Sequence, residues 1–210
     1  MNLVELAKMA VENFVKEKKI ISLPENLPKE FLERKSGTFV TIMKNGDLRG
    51  CIGTYLPTKE NIAQEVISNA IAAATEDYRF GSVKKEELPY LTFTVYILSK
   101  PELVNPHTTR RIISALRQGR QSSFGVGVKE LDPKKYGIIV KTMPIKSADG
   151  ADGADVVFNG HLPFKSGLLL PDLEGVDTIE KQIFIACQKA RIDSTKEKIL
   201  IYRFTVEKYK

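Results

Sequence analysis

Apolar positions along the chain recur at helix spacing in some segments and at strand spacing in others. Leu3, Leu6, Ala7, Ala10, Val11, Phe14 and Val15 fall on one stripe, so residues 1–19 predict an amphipathic helix. A proline-marked connector, LPENLPKEFLERKSG, follows with room for one helical turn. In TFVTIMK-NG-DLRGCIGTY, Asn-Gly between two β-rich runs predicts a two-residue type I′ hairpin. Thr58 is a candidate cap for a helix from about Lys59 to Ala74, whose apolar face is Ile62, Ala63, Val66, Ile67, Ala70, Ile71 and Ala74.

After a loop, TEDYRFGSV, the run LTFTVYILS predicts a strand. A short helix after Thr108 or Thr109 ends at Gly119, and YGIIVKTM predicts a further strand. The Ala-Asp-Gly repeat after Lys146 predicts a flexible loop, and DVVFNGHLPF a hairpin around Asn159-Gly160. GLLLP predicts a short buried strand. DTIEKQIFIACQKA predicts a helix capped by Asp177, with Glu180 three residues on, and KILIYRFTVEKY a final alternating strand. Interleaved helices and strands with hairpins point to an α+β fold with a largely antiparallel sheet.

The hairpin has consequences for its side chains. A regular two-residue turn pairs residues whose numbers sum to 91, so Val40 faces Cys51, Ile42 faces Arg49 and Lys44 faces Asp47. One face then carries Phe39, Thr41, Met43, Leu48, Gly50 and Ile52, and is the expected core face. Val40, Ile42, Lys44, Asp47, Arg49 and Cys51 share the other, which should line something partly covered. A one-residue bulge would exchange the faces.

The chain has 210 residues, 42% hydrophobic and 28% charged, with a net charge of +6. That balance is globular rather than disordered. No apolar run approaches the roughly 20 residues of a membrane span, and the first residues lack the pattern of a signal peptide. Two widely separated cysteines give no disulfide framework, so a reducing cytoplasm is the expected location. The spread of lysines reads as a solvated surface, and nucleic acid as an unfavoured partner.

Candidate chemistry centres on Leu48–Gly53. Arg49 and Cys51, two apart on one strand, have Cβ atoms about 7 Å apart, so a fixed guanidinium could favour the thiolate. Cys51 is therefore the candidate catalytic nucleophile and Arg49 an anion anchor. Gly50 and Gly53 allow close backbone approach, and Gly53 is read as leading toward a helix N-terminus. The competing reading makes Cys51 a small core hydrophobe. The only histidines are His107 and His161, so a base can reach Cys51 only through tertiary proximity. Glu76, Asp77 and Arg79 are candidate groove residues, or else a self-satisfied ion pair, and they reach Cys51 only if the preceding helix packs back across the hairpin. Asp149, Asp152 and Asp155 lack the spacing of an EF-hand loop, and the cysteines and histidines lack that of a zinc site, so no metal is expected. Cys187 reads as core. Arg110, Arg111, Arg117 and Arg120 form a basic cluster, either an exposed helix face or a phosphate-contact patch.

LRGCIG, together with FVTIMKNGDLRGCIGT, DYRF, ELPYLTFTVYILSKPELV, LDPKKYGIIV and SGLLLPDLEGVDTIEKQIFIACQKARI, resembles the AMMECR family over most of the chain. The resemblance implies one domain over 1–210 made of two lobes, each with an antiparallel sheet and flanking helices, the larger holding both termini. It implies that the signature lies near the groove between lobes. It also implies association with Memo-like and radical S-adenosylmethionine proteins, but no settled activity and no known cofactor. Tyr78 stands where the family's D-P-R-F has proline, and Arg191 where it has a glycine suited to a helix end. Segments 104–128 and 143–165 look longer than the family's connections. Three classes of function stay open: an enzyme or enzyme component acting on a small molecule or modified macromolecule, a protein-binding module, and RNA or DNA contact through the arginines.

Overall fold

The computed structural model describes residues 1–118, 131–143, 165–194 and 196–210. It is α+β, with two four-stranded antiparallel sheets in two compact units.

The first unit holds Met1–Lys100 and Val206–Lys210. Its sheet has the order β2-β1-β3-β8, from β1 (Thr38–Lys44), β2 (Asp47–Gly53), β3 (Leu91–Leu98) and β8 (Val206–Tyr209). Helix α1 (Leu3–Glu17) forms where the stripe predicts, opened by Asn2, which accepts the Glu5 amide while Glu5 accepts the Asn2 amide. Its buried residues are those of the predicted stripe except Phe14, which is half-buried. The connector contributes the single-turn helix α2 (Lys29–Glu33), with Phe31 buried. Helix α3 (Ile62–Thr75) packs on β1, β2 and α1.

The second unit, Pro101–Thr205, has the order β4-β7-β5-β6. Its strands are β4 (Glu102–Leu103), β5 (Gly137–Thr142), β6 (Ser166–Leu169) and β7 (Ile199–Phe204); its helices are α4 (Pro106–Arg117) and α5 (Ile179–Lys189). Ile138, Val140, Ile199 and Ile201 pack with Ile112, Ile179, Ile183 and Cys187 in one core. Cys187 is buried, as its helix position predicts.

Three helix starts differ from the sequence reading. Residue 58 lies four positions before α3; Asn61 is the cap, its side-chain oxygen accepting the Gln64 amide at 2.9 Å. Thr178 rather than Asp177 caps α5, accepting the Lys181 amide at 3.2 Å. Helix α4 begins at Pro106, ahead of Thr108. Asn105 accepts the His107 amide there, and proline suits a first helical position because its missing N–H is not needed. The predicted final strand divides at Thr205: β7 joins the second sheet and β8 the first. An alternating pattern marks extended backbone but not its partner, so the division leaves no trace in the periodicity. The Ala-Asp-Gly loop and the Asn159-Gly160 hairpin lie outside the described residues.

Each unit uses one strand glycine to bring a helix against its sheet. A Cβ on Gly50 would stand 2.1 Å from the Ala73 carbonyl oxygen of α3, and one on Gly167 would stand 1.9 Å from the Ala186 oxygen of α5. Any larger residue would push the helix off.

Candidate functional site

The Asn-Gly turn forms with Asn45 at φ 52° and Gly46 at φ 94°, as a type I′ hairpin requires. The register departs from the regular one. Lys44 pairs with Asp47 and Met43 with Leu48, but Ile42 pairs with Gly50, Thr41 with Cys51 and Val40 with Ile52. Arg49 has no partner on β1 and is the extra residue of a β-bulge. This corrects the predicted pairing and its core face. Thr38, Val40 and Ile42 are the buried positions of β1, while Phe39, Thr41 and Met43 are partly exposed on the opposite side. Gly50 and Ile52 share the helix side; Cys51 lies opposite, beside Thr41. Arg49 and Cys51 are thus not simple same-face neighbours of a regular strand.

Both signature glycines have packing reasons. Gly50 accommodates the α3 backbone. Gly53 sits under the Phe39 ring and against the Thr38 carbonyl, where a Cβ would meet both within 2.3 Å. Gly53 does not lead into a helix, since α3 begins at Ile62.

Helix α3 packs back across the hairpin and so returns its C-terminal turn to β2. Asp77, 5% exposed, accepts the Cys51 amide through Oδ2 at 2.9 Å. Arg79 grips the same carboxylate from Nε at 2.9 Å and Nη2 at 2.6 Å, with its own amide at 3.2 Å. The Arg79 guanidinium, aided by the Cys51 and Arg79 amides, overcomes burial and holds the Asp77 carboxyl at about 2. Asp77 and Arg79 therefore form the ion pair that the sequence left as one alternative, and it is tied to the signature strand. The Cys51 Sγ lies 3.2 Å from Thr41 Oγ1 in a hydrogen bond. The bond to Asp77 is the main influence raising the Arg79 guanidinium, with a smaller contribution from Cys51.

Arg49 turns elsewhere. Its Nε and Nη2 donate to the two oxygens of Glu87 at 3.0 Å each, and Nη1 donates to the Gly81 carbonyl at 2.8 Å. Lys44 also donates to Glu87 at 3.0 Å, and the Lys84 amide at 2.9 Å. The Arg49 guanidinium, with those donors, holds the Glu87 carboxyl at about 2 against a partly buried setting. Phe80 places its ring 6.0 Å from the Arg49 guanidinium and 5.4 Å from that of Arg79.

Two carboxylates central to this region were not picked out from the sequence. Glu87 offered one signal, an acid three residues after Lys84 at the start of the 3-10 turn Lys85–Tyr90. Glu65, fully buried on α3, offered none, because it falls next to Val66 and Ile67 on an apolar face. It accepts from Thr54 Oγ1 at 2.6 Å, the Thr58 amide at 2.7 Å, Thr58 Oγ1 at 2.9 Å and the Lys59 amide at 2.7 Å.

The remaining candidates lie apart from β2 in the chain. Glu76 is exposed at the end of α3. His107 is exposed on α4, with Arg110, Arg111 and Arg117; Arg117 donates to the Ser194 carbonyl. His161, Arg120 and Asp149, Asp152 and Asp155 lie outside the described residues. Among the described residues no cluster of His, Cys, Asp and Glu could hold a metal ion, and no helix is long and apolar enough to cross a membrane.

Residues 4–209 match the AMMECR1 family model. An uncharacterised Thermotoga maritima protein is 43% identical over 99% of this chain and 96% of its own length. A Clostridium acetobutylicum protein is 39% identical over 98% of this chain, which spans only 34% of that relative. The crystal structure of an uncharacterised protein from Pyrococcus horikoshii superposes with a TM-score of 0.73 at 29% identity, covering 98% of this chain and 88% of that one.

Proposed function

The chain belongs to the AMMECR1 family, and for this member we propose a ligand-contact surface on the signature strand, in which Cys51 and Arg79 meet the ligand. The protein is then the binding component of an enzyme system, and Arg49, Gly50, Gly53 and Asp77 shape the surface. The carrying observation is electrostatic. Asp77, which accepts the Cys51 amide, and Glu87, which accepts from Arg49, are both held at about 2 by guanidinium partners. At neutral pH each stays ionised, so they act in binding and not as acid or base. Cys51, half-buried beside Thr41, and Arg79, bonded to Asp77 with its side chain 41% exposed, serve as contact groups.

A second reading, a protein-docking module, is favoured by the Clostridium relative, in which this region accompanies about twice its own length of other chain. Memo-like and radical S-adenosylmethionine proteins are the partner classes this reading adopts from the family, and the cytoplasm is the location. Native mass spectrometry of the protein from its own host tests both. A retained small molecule that is lost in Cys51→Ser and Arg79→Gln supports the ligand surface. A retained protein supports docking. Retention of the same small molecule, undiminished, by both folded variants rejects the contact roles.

A further inference from the structure

Helix α4 divides sharply into two sides. His107, Arg110, Arg111, Ser114, Arg117 and, just past its end, Gln118 are all exposed. They fall within an arc of about 120° at helical spacing. Ile112 and Ile113, on the other side, are buried in the core of the second unit. A solvated helix in this chain balances its charges: on α1, Glu12 pairs with both Lys8 and Lys16. Helix α4 has no carboxylate, not even in its first turn, where the helix dipole favours one. From Leu103 to Lys129 the sequence holds five cations and no carboxylate. The rest of Pro101–Thr205 holds eleven cations and twelve carboxylates, so the positive charge of that unit comes from this stretch. Residue type is selective too. The chain has 23 lysines and nine arginines, yet the four cations of residues 110–120 are all arginine. Arg34, Arg49, Arg79 and Arg203 each hold a carboxylate. Among the described residues the guanidiniums of Arg110 and Arg111 hold none, and that of Arg117 donates to the Ser194 carbonyl. A guanidinium fork fits two phosphate oxygens as well as it fits a carboxylate.

We propose that this face of α4 is a docking surface for double-stranded DNA, held through backbone phosphates without reading sequence. From residue 107 to residue 118 the face is about 17 Å long. The major groove of B-form DNA, about 12 Å wide, admits a helix, and Arg110, Arg111 and Arg117 then meet phosphates along its edge. The major groove of A-form RNA is deep, narrow and closed to such a helix. An anionic membrane fits less well, because a helix lying on a bilayer inserts its apolar side, and that side of α4 is occupied in the core. The surface does not depend on the ligand reading.

The test measures binding of the full chain to a mixed-sequence DNA duplex of roughly 20 base pairs, by fluorescence anisotropy between about 50 and 200 mM salt. An RNA duplex of the same sequence and vesicles rich in phosphatidylserine are the competing arms. Three neutralised phosphates give a slope of about −2.7 in log K against log salt, an affinity loss of about 40-fold over that range. Arg110→Gln with Arg111→Gln should cut the slope to about −0.9, whereas Arg110→Lys with Arg111→Lys should keep it, since lysine also neutralises a phosphate. Lys8→Gln with Lys16→Gln removes the same net charge from α1 and should leave the slope as it is. Absence of DNA binding at the lowest salt overturns the proposal. So does an unaltered slope in the Arg110→Gln, Arg111→Gln variant, an equal fall in the α1 variant, or tighter binding to RNA or vesicles than to DNA.

Discussion

Replacing Glu65 by alanine should destabilise the first unit more than any other single loss of a hydrogen-bonding group in it. The side chain is fully buried and forms no ion pair among the described residues, and four donors from the 54–59 loop converge on its oxygens. Burial is the largest single influence and pushes its carboxyl up. The donors from Thr54, Thr58 and Lys59 together outweigh it, so the group sits below the ordinary glutamate value. In Glu65→Ala the two hydroxyls can turn to other acceptors. The Thr58 and Lys59 amides cannot turn without moving the loop, and each unsatisfied amide costs about 1–3 kcal/mol. Thr58 and Lys59 are exposed residues, so water recovers part of this, and the expected loss is about 2–4 kcal/mol. Glu65→Gln keeps the geometry: its oxygen can accept both amides while its NH2 donates to both threonine oxygens. Its cost should be about 1 kcal/mol, the difference between charge-assisted and neutral bonds less the relief of burying no charge. Because the chain has two compact units and no tryptophan, urea titration read by hydrogen exchange in α3 peptides is the suitable assay. The lowered carboxyl adds stability above its unfolded value near 4.3, lost as pH falls through the folded value. The gap between parent and Glu65→Ala should therefore narrow in acid. Equal costs for Gln and Ala, or a gap that widens as pH falls, would refute the hydrogen-bond account.

Other consequences follow from single contacts. Gly50→Ala should lower the stability of the first unit by about 3 kcal/mol, because the backbone of α3 must shift, whereas the same change at Gly167 should weaken the second unit alone. Arg191 stands at φ 53° after α5, so Arg191→Gly should stabilise the second unit by about 1 kcal/mol, read as a higher urea midpoint in α5 peptides. Iodoacetamide should label Cys51 well before Cys187, which is 4% exposed and whose thiol burial pushes up to about 11; equal rates in the folded protein would contradict this. Asp77 and Glu87, both lowered to about 2, contribute stability above their unfolded values that is lost only as pH falls toward 2, so residues 77–87 should keep their exchange protection at pH 4.

The α+β class, the Asn-Gly turn and the apolar face of α1 were legible because each rests on local periodicity or one turn type. Arg191 was legible only through the family resemblance, which puts a glycine at this helix end, and it stands at φ 53°. Non-local choices were hidden. Thr58 resembles a cap, yet its hydroxyl turns to Glu65 while Asn61 caps α3. Thr205 looks like the middle of one strand, yet β7 and β8 pair in different sheets. The ion pair of Asp77 with Arg79 was foreseen as an alternative because both lie in one short loop. Glu87 was missed because its partner Arg49 stands 38 residues away.

The bulge at Arg49 explains why a correct hairpin led to an inverted face. In a regular two-residue hairpin every side chain beyond the turn is assigned by parity, so one inserted residue exchanges β1 relative to the outer half of β2. The sequence alone could not place that insertion, since no special φ is needed at Arg49; the residues of the described chain at positive φ do not include it. What selects the bulge is satisfied on both sides of it. Inward, Gly50 must meet the Ala73 carbonyl, which fixes its parity with Ile42. Outward, Arg49 must reach Glu87 and Gly81, which a side chain held in the ladder would not do as readily. The order Arg-Gly-Cys therefore carries three different demands in successive residues: a cation for Glu87 and Gly81, no side chain toward the helix, and a thiol on the opposite face beside Thr41. Arg49 is the member of the motif whose side chain carries the charge. Its guanidinium is bonded to Glu87 and Gly81, as that of Arg79, on the neighbouring loop, is to Asp77.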